Sequence, residues 1–175
     1  MTAIAVKITE KYIEISADTM ISMGWWNKVE TSWPANIKNF SKLYEINNMV
    51  IWFAWPVEDA LVISQWMKTN LPKWSTIDYI EQYVLSVYDH LKDRKAWRQA
   101  DLQIILIFDQ KVFVVWNYLI YEVAQYDAIG SWMHYCNTAL YLGFDTKKAL
   151  EVACEFAWWV WWEIKTIKVL KTLEN

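Results

Sequence analysis

Two residues near the amino terminus have the types and the spacing that acyl-transfer chemistry could use. Thr2 follows Met1, and Asp18 comes sixteen residues later. A threonine hydroxyl is a poor nucleophile until a base removes its proton. A free α-amino group, with a pKa of about 7.7–8.0, is close enough to neutral to be that base. Because threonine is small, removal of Met1 is expected, and it would place hydroxyl and amine on one residue. A small residue that merely opens an edge strand remains the alternative for Thr2.

The first eighteen residues are predicted to form a β-hairpin that brings this pair together. Residues 3–8 and 12–17 have strand patterns and are joined by a polar turn at residues 9–11. In residues 12–16 apolar and polar side chains alternate with period 2, as in a half-buried strand. The hairpin carries the amino terminus into a sheet and returns Asp18 towards Thr2.

The rest of the chain is predicted to be α+β, with antiparallel sheets whose faces are covered by helix pairs, in one domain spanning residues 1–175. A second hairpin is expected from strands 37–44 and 49–54, with its turn at 45–48. Further strands are predicted at residues 102–108, 112–116, 118–123 and 163–170. Helices are predicted at residues 57–69, from a cap at 75 or 76 to about 95, at 131–142 and at 146–157.

The overall composition excludes several classes of partner. A net charge of −3 and a pI near 5.4 argue against nucleic acid or an anionic membrane as the main partner. The two cysteines, Cys136 and Cys154, have no metal-like spacing, so a reducing cytoplasm is the expected location. We identify neither a signal peptide nor an apolar run of about 18 residues, so no transmembrane helix is expected.

Tryptophan and glycine occur in abnormal numbers. The chain has 14 Trp and 3 Gly, whereas glycine usually makes up about 7% of a protein. Several Trp stand where turns or close packing favour a small residue, and the two counts together equal an ordinary glycine content. Our hypothesis is that many of these Trp are Gly in the authentic protein, as a source organism that reads UGA codons as glycine would produce. The alternative is a truly Trp-rich surface that binds aromatic or sugar ligands.

Five short stretches, in order, resemble signatures of one family, the N-terminal nucleophile hydrolases, and within it the proteasome β-subunit and HslV. Residues 2–7 (TAIAVK) resemble the opening strand, and residues 13–18 (IEISAD) resemble its "xxxAAD" strand. Residues 51–60 (IWFAWPVEDA) resemble "GxAGxxxDA", residues 128–132 (AIGSW) resemble "AIGSG", and residues 160–164 (VWWEI) resemble "SGGxV". Five Trp occupy family glycine positions in these stretches: Trp52, Trp55, Trp132, Trp161 and Trp162.

The resemblance implies a four-layer αββα sandwich of two antiparallel sheets flanked by helix pairs. It also implies a threonine-type endopeptidase that needs no cofactor or metal. Thr2 would be nucleophile and base, Asp18 would orient the site and balance nearby positive charge, and Ser131 would hydrogen-bond the amine. Trp55, beside Ala54 in the substrate groove, would offer a backbone N–H to the oxyanion.

The same resemblance implies partners as well as a site. A ring or double-ring homo-oligomer would hold the sites inside, and an AAA+ ATPase would feed it unfolded protein or peptide. Such enclosure is sensible, because an unselective amide hydrolase must be kept away from folded proteins.

The sequence departs from the family pattern at the third strand. The family has a Lys there that lowers the amine pKa, whereas this chain has Asn39, with Lys38 beside it. A shift of one residue turns a side chain to the opposite face of a sheet, so Lys38 replaces the family Lys only if the strand contains a bulge. The alternative function is therefore a catalytically impaired or phage-type protein that uses the fold as a structural assembly module.

Overall fold

The computed structural model describes residues 2–19, 43–54, 57–94, 103–156 and 163–172. These residues form two antiparallel sheets and four helices. The strands are β1 (Ala3–Ile8), β2 (Tyr12–Asp18), β3 (Leu43–Ile46), β4 (Met49–Phe53), β5 (Gln103–Phe108), β6 (Lys111–Trp116), β7 (Leu119–Glu122), β8 (Tyr126–Gly130) and β9 (Ile164–Leu170). The helices are α1 (Val57–Thr69), α2 (Ile77–Arg94), α3 (Met133–Tyr141) and α4 (Thr146–Phe156).

The amino-terminal strand is an interior strand of its sheet. The first sheet has the order β8-β1-β2-β9, and the second has the order β3-β4-β5-β6-β7. On one side of β1, Ile4 pairs with Ala17 of β2, and on the other side Ala3 pairs with Gly130 of β8. The first residues of the chain are thus held by hydrogen-bonded neighbours on both sides.

Alternation along β1 divides its side chains between two cores. Ile4 and Val6 pack between the sheets, together with residues of the second sheet such as Ile105. Ala3 and Ala5 point the other way and pack against α3 and α4. Successive side chains of a strand lie on opposite faces, so this single strand contributes to both layers. The small alanines allow the helix pair to pack closely against the sheet.

The outer face of the second sheet carries the other helix pair. Phe53 of β4 and Leu106 of β5 belong to a core that also contains Ile63 of α1 and Val84 of α2. The layers therefore follow the order helices, sheet, sheet, helices. This architecture confirms the α+β class and the four-layer sandwich that the sequence predicted.

A buried carboxylate fixes α4 against the first sheet. Glu14 of β2 is only 6% exposed, and its Oε2 accepts hydrogen bonds from the backbone N–H and the hydroxyl of Thr146, at 3.1 and 3.0 Å. Its Oε1 lies 3.2 Å from Nζ of Lys168 on β9. A negative charge is favourable at the first residue of a helix, where backbone N–H groups lack helical partners. Glu14 thereby sets the position at which α4 begins.

The structure corrects the sequence prediction at two places. Residues 126–130 form β8, a strand that was not predicted. Four strands instead of three therefore lie between α2 and α3. The turn expected at residues 45–48 is only Asn47 and Asn48, because Ile46 pairs directly with Met49. Asn47 has φ of +55°, a left-handed conformation that asparagine tolerates better than most residues.

Most other predicted bounds agree with the structure within one or two residues. Helix α1 spans residues 57–69 as predicted, and the turn of the first hairpin spans residues 9–11. Residues 37–42 of the expected third strand lie outside the described residues. Within the described ranges, no helix has the length and apolar character required to cross a bilayer.

Candidate active site

The structure brings three of the predicted site residues to one end of the first sheet. Thr2 immediately precedes β1, Asp18 is the last residue of β2, and Ser131 immediately follows β8. Because β1 lies between β2 and β8, these three chain positions are adjacent in space. Continuing the β1–β8 register by one position sets Thr2 opposite Ser131.

Asp18 holds the backbone beside Thr2. Its Oδ2 accepts the N–H of Ala3 at 2.6 Å, and the side chain is only 6% exposed. A carboxylate that accepts a backbone N–H makes a short, charge-assisted hydrogen bond, stronger than a bond between neutral groups. The bond fixes the backbone where the chain enters β1 at Ala3, and hence the position of Thr2.

Gly130 lies close to the backbone of Thr2. Its φ is +96°, and a Cβ at this position would lie 2.2 Å from the carbonyl oxygen of Thr2. A backbone atom cannot move away as the end of a flexible side chain can, so only glycine allows this contact. The glycine of the AIGSW stretch is thus required by packing against Thr2 as well as by its own backbone conformation.

Ser131 stands between β8 and α3 and is exposed. A helix was predicted to begin at Ser131, but α3 begins at Met133 and its cap residue is Trp132, which makes no side-chain capping bond. Ser131 is therefore not the cap of α3. Its place after Gly130 keeps it at the same sheet end as Thr2.

Ala54 lies at the end of β4, buried in the core between the sheets. Its backbone N–H donates to the carbonyl oxygen of Gln103 at 2.9 Å. That N–H is therefore engaged within the second sheet. Trp55, Lys38 and Asn39, the other predicted site positions, lie outside the described residues.

The two cysteine thiols are unsuited to act as nucleophiles. Burial raises the pKa of Cys136 to about 12, with smaller contributions from Cys154 and from the negative charge of Asp18. Burial, followed by the charge of Asp18, also raises the pKa of Cys154. The thiolate is the reactive form of cysteine, and it is disfavoured at both positions. Within the described part of the chain, no group of three or more His, Cys, Asp or Glu could hold a metal ion.

One residue of the candidate site, Gln103, was not predicted from the sequence. Oε1 of Gln103 accepts the N–H of Gly130 at 3.0 Å, so a side chain of the second sheet reaches the strand that contacts Thr2. The available signal was a single polar residue at the start of an otherwise apolar segment, QIILIF. That signal does not reveal which partner the side chain meets.

Comparison with known proteins identifies the fold. No family model and no curated protein matches the chain in sequence. Thiobacillus denitrificans BPH superposes with a TM-score of 0.80 at 16% identity, covering 99% of this chain and 100% of that chain. The same protein in complex with epoxomicin gives 0.79 at 15% identity, covering 97% and 98%.

Eukaryotic HslV from Trypanosoma brucei is also similar. It superposes with a TM-score of 0.69 at 16% identity, and the match covers 94% of this chain and 98% of that chain. The chain therefore has the fold of HslV and BPH, as the N-terminal nucleophile hydrolase resemblance led us to expect. At these identities the likeness shows the fold.

Replacing Gly130 by alanine should disturb Thr2, and Gly143 provides a matched control. Gly143 has nearly the same φ, +95°, but a Cβ there would meet nothing within 4 Å. We expect Gly143→Ala to cost about 1–2 kcal/mol of unfolding free energy, from backbone strain alone. Gly130→Ala should cost about 1–3 kcal/mol more, because the added methyl group overlaps the Thr2 carbonyl. Urea unfolding of both variants measures the difference, and equal losses would contradict the close approach.

Proposed function

We propose that this chain, which has the fold of HslV and BPH, is a single-domain threonine-type endopeptidase subunit of a self-compartmentalising protease. The observation that carries the proposal is the meeting of three chain positions at one sheet end. Thr2 immediately precedes β1, and Asp18 accepts the backbone N–H of Ala3. The close approach of Gly130 brings Ser131 beside Thr2. After Met1 is removed, the hydroxyl and the amine of Thr2 would lie within this frame.

The proposed chemistry starts at Thr2. In its unprotonated form, the α-amine of Thr2 takes the hydroxyl proton while Oγ attacks the carbonyl carbon of the peptide bond. The backbone N–H of residue 55 stabilises the oxyanion that forms. The C–N bond then breaks, and the leaving amine receives the proton from the Thr2 ammonium. Water then attacks the resulting ester while the amine takes a proton from it. The bond between the acyl carbon and Oγ breaks, and the ammonium returns that proton to Oγ, which releases the acid and restores Thr2.

Asp18 and Ser131 support this step in different ways. The buried carboxylate of Asp18 fixes the backbone at Ala3 and places a negative charge near the amine when it is protonated. Ser131 would hydrogen-bond the amine and orient the lone pair of the amine towards the Thr2 hydroxyl. Lys38, beside Asn39, is the candidate for the positive charge that would lower the pKa of the amine.

The proposed assembly is a homo-oligomeric ring in the cytoplasm, with an AAA+ ATPase that delivers unfolded protein. The likeness to HslV supports this at the level of the fold. Enclosure inside a ring would restrict a nucleophile of low selectivity to chains that have already been unfolded.

The second candidate function is a structural assembly module without peptidase activity. It is favoured by one observation, Asn39 at the position where the resemblance expects a Lys. Without a nearby positive charge, a larger fraction of the amine is protonated at neutral pH, and a protonated amine cannot act as a base. The two functions share the fold and differ in activity.

Hydrolysis of a fluorogenic peptide tests the nucleophile. We expect Thr2→Ala to lower kcat/KM by at least about a thousandfold, because the attacking hydroxyl is lost. A form that retains Met1 should be equally inactive, because the base has become part of an amide. Thr2→Ser should keep most of the activity, since it preserves both groups.

Thr9→Ala is the matched control, since it removes a hydroxyl from the opposite end of β1, where Thr9 Oγ1 binds the carbonyl of Tyr12 at 2.7 Å. We expect it to leave kcat/KM within about twofold of the parent chain, because its effect is local to the turn. Equal activity of the parent, Thr2→Ala and Met1-retaining forms would exclude the Thr2 mechanism. An inactive parent chain that is fully folded would favour the assembly module.

The ring predicts a high native mass at low concentration. Analytical ultracentrifugation at micromolar concentration should give a single species several times heavier than the 21.0 kDa chain, independent of whether Thr2 is intact. A monomer under these conditions would argue against compartmentalised proteolysis, even if peptides were hydrolysed.

The tryptophan hypothesis forms a separate proposal, namely that many Trp positions carry Gly in the authentic protein. It is supported by Trp52, which is 1% exposed and whose indole N–H has no hydrogen-bond partner among the residues that the structure describes. A buried unsatisfied donor costs about 1–3 kcal/mol. Among the Trp that the structure describes, Trp66 lies on α1, Trp74 precedes α2 and Trp132 precedes α3.

The intact mass of the natively expressed protein decides this proposal. We expect a mass lower than that of the printed sequence by one indole side chain for each replaced position, and UGA codons at those positions in the gene. A mass equal to that of the printed sequence would refute the hypothesis and would favour the alternative, a Trp-rich surface that binds a ligand.

A further inference from the structure

Gln103 joins the two sheets at the candidate site. It is the first residue of β5, and its carbonyl oxygen accepts the N–H of Ala54 at 2.9 Å. Its side-chain Oε1 accepts the N–H of Gly130 at 3.0 Å. Ala54 follows β4 of the second sheet, whereas Gly130 ends β8 of the first sheet. One residue therefore binds both strand ends that flank the site.

Of the two partners of Gln103, Gly130 is next to Thr2 in space and Ala54 is next to residue 55 in the sequence. Gly130 contacts the backbone of Thr2, since a Cβ there would lie 2.2 Å from the Thr2 carbonyl oxygen. Ala54 directly precedes residue 55, the proposed oxyanion donor. Hydrogen bonds near 3 Å are short and directional. Gln103 thus holds Gly130, which lies against Thr2, at a fixed distance from Ala54.

We propose that Gln103 is a positioning residue, which holds the Thr2 nucleophile, through Gly130, in a fixed position relative to the second sheet. This role rests on the proposed peptidase function. Gln103 touches neither substrate nor the reacting atoms in this scheme. It acts through Gly130 on one side and through Ala54 on the other.

The chemistry of the amide suits this role. The N–H of Gly130 is a donor, so the side-chain atom that faces it must be an oxygen, which assigns the orientation of the amide. An apolar side chain would leave the N–H of Gly130 without this acceptor. A carboxylate would also accept the bond, but its negative charge beside Thr2 would raise the pKa of the amine. Glutamine offers the acceptor without the charge.

Loss of this bond should alter the site without unfolding the protein. The sheets are also held together by an apolar core that includes Ile4, Ile15, Ile105 and Val114, all of them buried. A single hydrogen bond at the sheet end is a small part of that interface. The effect is therefore expected in catalytic geometry, where a displacement of about 1 Å can cost a hundredfold in rate.

Two variants of Gln103 and one control test the proposal. Gln103→Leu removes the acceptor, and Gln103→Glu keeps an acceptor but adds charge. Lys7→Met is the matched control, because Lys7 lies on β1, which directly follows Thr2, and its Nζ donates to the carbonyls of Gly143 and Phe144, at 3.0 and 2.7 Å. All three variants lose or alter one tertiary contact of a side chain with the backbone.

We expect Gln103→Leu to lower kcat by about 10- to 100-fold while KM changes less than about threefold. Amide hydrogen exchange at Gly130 should become at least about tenfold faster. Gln103→Glu should keep the slow exchange and recover most of the rate at high pH, with the acidic limb of its pH–rate profile moved upward by about half a pH unit. The direction follows because a higher amine pKa requires a higher pH to produce the free base. Lys7→Met should change neither kcat nor Gly130 exchange.

The readouts separate this proposal from the peptidase function. If the mature parent chain hydrolyses no peptide, the proposed function fails. Two measurements then decide the role of Gln103. One is amide hydrogen exchange at Gly130, and the other is the pKa of the Thr2 amine, measured from the pH dependence of acylation of the amino terminus. Unchanged exchange in Gln103→Leu, or an unchanged amine pKa in Gln103→Glu, would overturn the proposal. With an active parent, a Gln103→Leu variant of unaltered kcat would also overturn it.

Discussion

The contact between Gly130 and the carbonyl of Thr2 is the constraint on which the site depends. It exists because β8 ends in a left-handed residue without a side chain, so that two backbones approach more closely than a Cβ would permit. On the other side of β1, the Asp18 carboxylate takes the N–H of Ala3. The amino-terminal residue is thus held from both flanks by its neighbours, although it precedes the strand itself.

The layered architecture explains why such a contact can be rigid. Strand β1 is interior to its sheet and contributes Ile4 and Val6 to one core and Ala3 and Ala5 to another. Close packing on both faces leaves little freedom for the strand to shift. Gln103 then relates this strand to the second sheet through a hydrogen bond at the same end. A residue near a chain end, where chains are usually poorly ordered, can in this way be held in place.

Local patterns were sufficient where neighbouring residues decide the structure. The first hairpin, helix α1 and the final strand follow from periodicity and turn chemistry, and the structure agrees with them closely. Strand β8 was missed because YDAIG is too short and too weakly alternating to be distinguished from a loop. It becomes a strand because β1 offers it a free edge, which is a property of the assembled sheet and not of the segment.

The sequence by itself determined the α+β class and the hairpin that returns Asp18 towards Thr2. These conclusions depend on residue types at short or regular spacings, which local stereochemistry converts directly into structure. Only the tertiary structure decided that Gly130 contacts Thr2, that the cap of α3 is Trp132 and that Gln103 links the two sheets. Such contacts join residues far apart in the chain. Their partners are chosen by how the two sheets stack, and no local pattern encodes that choice.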